Sequence, residues 1–317
     1  MFRTLEELAP KDAAVAGEGG MTKQDKIQEF MRRVSDETQL DQNKLNIDDI
    51  KSKAEDEGKN PFYNVLIQEC EYMNTLINEI LRSLFEIELS FKGELTVTEK
   101  MEDLMDSIFL NKVPATWAKL AFPSTRSLGS WLENLRQRLD QLNFWKEDPN
   151  KVPKVIFLNR LFNPQSFLTA IKQVYSRKNQ YELNKLYIQT EVSKRGHNDS
   201  DLPDLKEGQG AYVFGFQLEG ARWETQTGQV EESLPKKQFS VMPVVLCRAA
   251  PMPLEGKEEK GVYQCPAYKT EQRGATFVFT AQLKTKQPPA KWVLAGVAIV
   301  FDVEGVSDVF QIGKDAI

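Results

Sequence analysis

Three glycines stand five residues apart in GAYVFGFQLEGARWE, residues 210–224. Such spacing raises the question of a phosphate cradle, and with it nucleotide chemistry. A P-loop follows its second glycine with lysine and a hydroxyl residue, which reach the phosphates and the magnesium ion. Here Gly215 is followed by Phe216 and Gln217, and Gly220 by Ala221 and Arg222. The dinucleotide pattern G-x-G-x-x-G is missing from the stretch as well. The side chains between the glycines are large and β-prone: Tyr212, Val213, Phe214, Phe216 and Leu218. The stretch therefore reads as a strand whose glycines mark a bulge or the close approach of another backbone.

Other reactive side chains are few. Glu219, beside Gly220 and Arg222, is a candidate acid, because burial in a strand would perturb its pKa. No second carboxylate is spaced to share its strand face, so an ion pair with Arg222 or a neighbouring element is the simpler expectation. Cys265, in YQCPAYKT, is a candidate nucleophile. Without a nearby histidine or helix N-terminus to stabilise a thiolate, it reads as structural. The single histidine, His197, lies in the polar stretch RGHNDSD, and a triad or zinc site would rest on it alone. Cys70, Cys247 and Cys265 have no C-x-x-C spacing and fit reduced, buried thiols. Trp131 and Trp145 fall on a helical stripe and read as packing, whereas Trp223 is of the type that anchors interfaces, with core packing the simpler reading for it. Glu219, Arg222 and Trp223 are thus interface candidates, and no residue qualifies as catalytic, cofactor-binding or metal-ligating; the alternative is a stand-alone scaffold or an enzyme using Glu219 or Cys265.

The elements that would position these residues fall into two halves. Asn60-Pro61 caps and opens a helix whose Leu66, Met73, Ile80 and Ile87 repeat every seven residues, with Val65, Cys70, Ile77 and Leu84 on the flanks. It runs to Gly93, roughly 45 Å at 1.5 Å per residue. Thr96-Val-Thr-Glu99 reads as the capping box of the next helix. Leu128, Trp131, Leu132, Leu135, Leu139 and Leu142 mark a further one. Asn163-Pro164 repeats the Asn60-Pro61 opening for a helix closing at Lys178-Asn179. An earlier helix is expected over TKQDKIQEFMRRV, with a mobile loop before it at residues 10–20 and a short helix near Ile47 and Ile50. After residue 180 the period changes from 3.6 to 2. Strands are expected from Leu186 and at Tyr212–Leu218, Val241–Arg248, Thr276–Leu283 and Trp292–Val303. No helical pattern separates them, which points to antiparallel pairing. The predicted fold is α+β: an N-terminal helical bundle followed by a small antiparallel β-barrel or sheet.

The bulk composition agrees with an ordinary globular protein: 317 residues, 41% hydrophobic and 27% charged, enough for about two domains. The net charge of −5 is uneven, acidic over residues 1–150 and basic over 151–317. That asymmetry suggests two units with different partners and is too weak to argue for nucleic acid. No apolar run approaches membrane-spanning length, and the N-terminal twenty residues lack the apolar core of a signal peptide.

Several longer blocks carry a resemblance. NPFYNVLIQECEYMNTLINEILRSL (60–84), GELTVTEKME (93–102), VPATWAKLAFPSTRSLGSWLENLRQRL (113–139) and FNPQSFLTAIKQVYSRKN (162–179) appear in an order similar to the C-terminal end of dynein heavy chains. So do the glycine stretch, MPVV (242–245), YQCPAYKTEQRG (263–274) and KWVLAGVAIVF (291–301). The resemblance covers about residues 20–303, and the N-P-F-Y and N-P-Q-S-F-L-T-A-I forms look like the axonemal branch. It implies that residues 1–60 are the end of the sixth AAA+ module or its junction. Residues 61–180 would be a helical subdomain, 181–303 an antiparallel barrel, and 304–317 an extension of unknown role. It further implies a region that braces the AAA+ ring and tunes force and processivity without hydrolysing ATP. The expected partners are the ring modules of the same heavy chain and other dynein chains. ATP, magnesium and the microtubule would be engaged by the parent protein alone, in a cilium or flagellum.

Overall fold

The computed structural model describes residues 22–34, 40, 44–54, 60–193, 202–206, 208–253 and 260–303. The loop expected at 10–20, His197 and the extension 304–317 lie outside the described residues.

Helix α1, Lys23–Arg33, opens on a reciprocal box in which the Thr22 hydroxyl accepts from the Asp25 N–H and the Asp25 carboxylate accepts from the Thr22 N–H. Helix α2, Ile47–Ser52, is capped by Asn46 and buries Ile50. Helix α3, Pro61–Phe91, begins at the expected Asn60 cap, whose side chain accepts the Phe62 N–H at 3.0 Å. Its heptad positions Leu66, Met73, Ile80 and Ile87 are wholly buried. Helix α4, Glu99–Phe109, starts later than the Thr96 box predicts: Thr98 is the cap, accepting from Met101. Helix α5, Ala115–Ala118, is a single turn that seats Trp117, whose indole N–H donates to Ser83 of α3 at 2.9 Å. Helix α6, Leu128–Trp145, buries Trp131, Leu135, Leu139, Leu142 and Trp145 in the same core.

Strand β1, Val155–Phe157, comes next. It was not expected inside the helical region, because three apolar residues carry no readable period. Helix α7, Pro164–Asn179, is capped by Asn163 and closed by Gln180 in the left-handed conformation. It packs on α3 on one side and on sheet strands on the other. The strands that follow are β2 Leu186–Val192, β3 Ala211–Phe214, β4 Gln217–Glu219, β5 Ala221–Glu224, β6 Gln229–Glu232, β7 Phe239–Val241, β8 Val245–Pro251, β9 Val262–Thr270 and β10 Phe277–Lys284. Helix α8, Pro289–Leu294, and β11, Ala298–Asp302, complete the described elements.

The predicted antiparallel barrel is corrected in two respects. The strands form a four-stranded sheet β1-β3-β8-β2, a five-stranded sheet β10-β9-β11-β4-β7 and a hairpin β5-β6, with no closed ladder among the described residues. Pairing is mixed, since β1 lies parallel to β3 and β11 parallel to β9. Where β2 and β10 meet, side chains stand in for a ladder. The Thr190 N–H donates to Gln282 Oε1 at 2.9 Å, and the Gln282 N–H donates to Thr190 Oγ1 at 2.7 Å.

The expected single strand 212–218 is two strands in two sheets, and Gly215 is where the backbone passes from one to the other. Its φ is +94°, and a Cβ there would lie 2.0 Å from Asn159 Oδ1. Gly210, at φ +107°, brings the backbone so near β8 that a Cβ would lie 2.1 Å from the Cys247 carbonyl oxygen. The strand expected over Trp292–Val303 begins instead as α8, because Pro289 opens a helix and Gly296 ends it.

Candidate functional site

The three interface candidates do not form one cluster of free groups. Glu219 ends β4 and is held by Arg273, Nη2 to Oε2 at 2.7 Å, and by Gln238 at 3.1 Å. The same Arg273 nitrogen donates to the Gly296 carbonyl at 2.8 Å. The neighbouring-element ion pair is therefore the one formed, and Arg222 is not its partner. Arg222 turns instead to Glu231, at 2.6 Å, and Glu224 on the β5-β6 hairpin. Trp223 is opposite Val230 in that hairpin and is 9% exposed, packed into the main core.

The cysteines are also occupied as packing. Cys265 is wholly buried beside Tyr263, and burial pushes its thiol far up, away from a thiolate. Burial likewise pushes the Cys70 and Cys247 thiols up to about 12. Among the described residues no group of His, Cys, Asp and Glu could hold a metal, and no helix is long and apolar enough to cross a membrane. A groove of about 1200 Å³ opens between the start of α3, the end of α7 and residues 204–206, 208 and 210–212. Its described lining contains no histidine, cysteine or glutamate, and Lys154 there is paired with Asp204 at 3.2 Å.

The concentrated chemistry lies deeper, where the helices meet the sheets. Residues 161–163, the lead-in to α7, are gripped by charged side chains from three elements. Glu69 of α3 accepts the Phe162 N–H at 2.6 Å and the Asn163 N–H at 2.8 Å. Arg138 of α6 donates to the Leu161 carbonyl at 3.0 Å. Lys269 of β9 donates to the Phe162 carbonyl at 3.2 Å. Arg138 also donates to Asn134 at 2.8 Å and stacks 3.5 Å over the Phe122 ring. Glu69 is 1% exposed and Arg138 2%. Burial pushes the Glu69 carboxyl up to about 7, against the two backbone N–H groups and the pull of Arg138 and Lys269. Burial also draws Arg138 down to about 9, against the attraction of Asp302 and Glu69.

A second tie lies beside the first. Asp302, ending β11, is 4% exposed and accepts from Ser124 and Arg126, which lie just before α6. Arg126 also donates to the Val303 carbonyl at 3.0 Å. A buried charge held on several sides fixes geometry firmly, because removing any partner strands the rest in low dielectric. The arrangement ties α3, α6, the lead-in to α7, β9 and β11 together.

None of these buried ions stood out in the sequence, though two left a trace. Glu69 falls on the buried α3 face with Val65, Met73 and Leu76, and Arg138 on the α6 face with Trp131, Leu135 and Leu142. A charge at a stripe position is the signal. Lys269 and Asp302 had no such pattern around them.

The family model for the C-terminal domain of dynein heavy chains matches residues 1–301. The ciliary dynein beta chain of Heliocidaris crassispina is 42% identical over 304 residues, covering 96% of this chain and 6% of that protein. Human dynein axonemal heavy chain 9 is 40% identical over 307 residues, again 96% of this chain and 6% of its own length. The flagellar outer arm dynein beta chain of Chlamydomonas reinhardtii is 42% identical over 301 residues, or 95% and 6%. This chain thus spans a small fraction of the length of the curated relatives it matches. The match runs through both the helices and the sheets that the buried ions tie together, and on it the protein belongs to the family of C-terminal domains of dynein heavy chains.

Proposed function

We propose that this chain is the non-catalytic C-terminal regulatory and structural region of an axonemal dynein heavy chain, the ATP-driven, minus-end-directed microtubule motor of cilia and flagella. Residues 1–60 close or join the last AAA+ module, residues 61–180 form the helical subdomain, 181–303 the sheet subdomain, and 304–317 an extension. Its partners are the AAA+ modules of the same heavy chain, with other dynein chains beyond them. ATP, magnesium and the microtubule are handled elsewhere in the parent. The observation that supports this reading is the buried junction of Glu69, Arg138 and Lys269 around residues 161–163. A block locked this way can press on several modules at once. Contacts that differ by a few kcal/mol between ring states suffice to shift their populations, and that shift sets force and run length.

Glu219, Arg222 and Trp223 mark the end of the sheet half that pins it in place or meets the ring. Trp223→Ala should lower the melting temperature of the protein, by an amount matching about 3 kcal/mol, and alter gliding velocity in the parent motor. If both stay unchanged, the anchor role is wrong. The direct test compares the parent motor with and without residues 61–317 at saturating ATP. A change in run length or stall force with basal ATPase retained is the expected result. Identical force, run length and velocity would overturn the regulatory role.

A further inference from the structure

Helix α8 and its flanks form an apolar knob on the sheet half. Pro288, Pro289, Ala290, Val293, Leu294 and Ala295 are all exposed, and the exposed residues of 288–295 include no polar side chain. Leu294 is 88% exposed and Val293 65%, the highest values for large apolar side chains among the described residues. The base of the knob is firmly held. Trp292 is buried, and its indole N–H donates to Thr285 Oγ1 at 2.7 Å. Lys291 pairs with Glu232 at the end of β6 at 2.6 Å. The Tyr263 hydroxyl donates to the Val297 carbonyl at 2.5 Å. Arg273, which grips Glu219, also donates to the Gly296 carbonyl at 2.8 Å. Single apolar side chains at a surface are ordinary, whereas a contiguous run of them marks a contact face. A braced shape also keeps the ordering cost of docking low.

We propose that the α8 knob docks, through Val293 and Leu294, into an apolar hollow with an acidic rim elsewhere on the same heavy chain. This inference rests on the reading of the chain as the C-terminal region of a dynein heavy chain.

The size of the face selects the occupant. Two large side chains and four small ones bury far less than the roughly 1,200 Å² that holds separate proteins together. A free partner, or a second copy of this chain, would bind weakly through this face alone. A partner in the same polypeptide is different. The curated relatives match this chain over only 6% of their length, so on this reading most of the heavy chain is joined to the knob covalently. Tethering presents a site at an effective concentration of about millimolar, at which a small apolar contact closes. The acidic rim follows from charge. Lys284 ends β10 and Lys286 follows it, both exposed on the approach to α8. Cations beside an apolar contact are complemented by carboxylates across it.

Leu294→Cys puts a thiol at the tip of the knob, and its labelling by N-ethylmaleimide reads whether the tip is covered. The native cysteines of this chain are buried, so Cys265 reports on folding in the same sample. The 317-residue protein is compared with the full heavy chain that carries it. The introduced thiol should react freely in the first and more slowly by on the order of tenfold in the second, with Cys265 unlabelled in both. Adding Val293→Asp should restore fast labelling in the heavy chain while Cys265 stays protected. If Leu294→Cys exposes Cys265, Val293→Cys repeats the comparison. Equal rates in the two proteins overturn the proposal. Slow labelling in the 317-residue protein also overturns it, since a second copy then covers the face. So does protection in the heavy chain that disappears when other dynein chains are removed. The regulatory reading fails separately: unchanged force and run length without residues 61–317 would sink it and leave slow labelling standing.

Discussion

Single residues decide two backbone problems that look alike in the sequence. Gly215 sits where the backbone leaves one sheet for the other, with φ +94° and Asn159 in the space a Cβ would need. Gly129 lies inside α6, where a Cβ would meet only Asn111 Oδ1 at 3.9 Å. Gly215→Ala should therefore cost at least about 2–3 kcal/mol, whereas Gly129→Ala should be neutral or stabilise by up to about 1 kcal/mol. Urea unfolding of both variants checks the contrast. That glycines in 210–220 served the backbone was legible, because bulky β-prone neighbours excluded a phosphate loop. Which glycine carries the crossing was not, since Asn159 reaches it from 56 positions away in the sequence. The buried charges were harder still. Glu69 stands at a stripe position of α3, but which backbone groups it would hold is set by residues 162 and 163, more than 90 positions away.

At the scale of elements, the helices were legible and the sheets only partly so. Helices α3 and α7 announce themselves through cap residues and apolar stripes, and α6 through its stripe alone, all local signals. Strand β9 was not among the expected strands because Pro266 interrupts it, although it pairs on both sides, with β10 and β11. Proline lacks a ladder donor and argues against a central strand; here the neighbours tolerate it at one position. Parallel pairing was illegible for a related reason, since nothing local records which distant strand lies alongside. The β2–β10 contact yields a prediction of its own. Thr190→Val keeps the side-chain shape but removes the hydroxyl that accepts the Gln282 N–H. It should cost about 1–3 kcal/mol, seen as a lower urea midpoint and faster exchange at the Gln282 amide. A value near zero would mean that water replaces the hydroxyl without penalty.

Across the whole molecule, the tie between Arg126 and Asp302 joins the helical half to the end of β11. Arg126→Ala leaves Asp302 buried with one partner fewer and should cost about 3–5 kcal/mol. Hydrogen exchange should show β11 and β9 opening before α6 in the variant, whereas they open together in the parent sequence. Simultaneous opening in both would indicate that the Glu69 junction alone couples them. This tie also sets a timetable. Arg126 and Asp302 are 176 residues apart in sequence. At about 5–20 residues per second, a ribosome delivers the aspartate roughly 10–35 seconds after the arginine. Until then the segment leading into α6 carries Arg126 without its counter-ion, and the helices lack this tie before β11 emerges. Premature stops upstream of residue 302 should consequently yield a product recognised by chaperones and degraded, rather than a stable helical remnant.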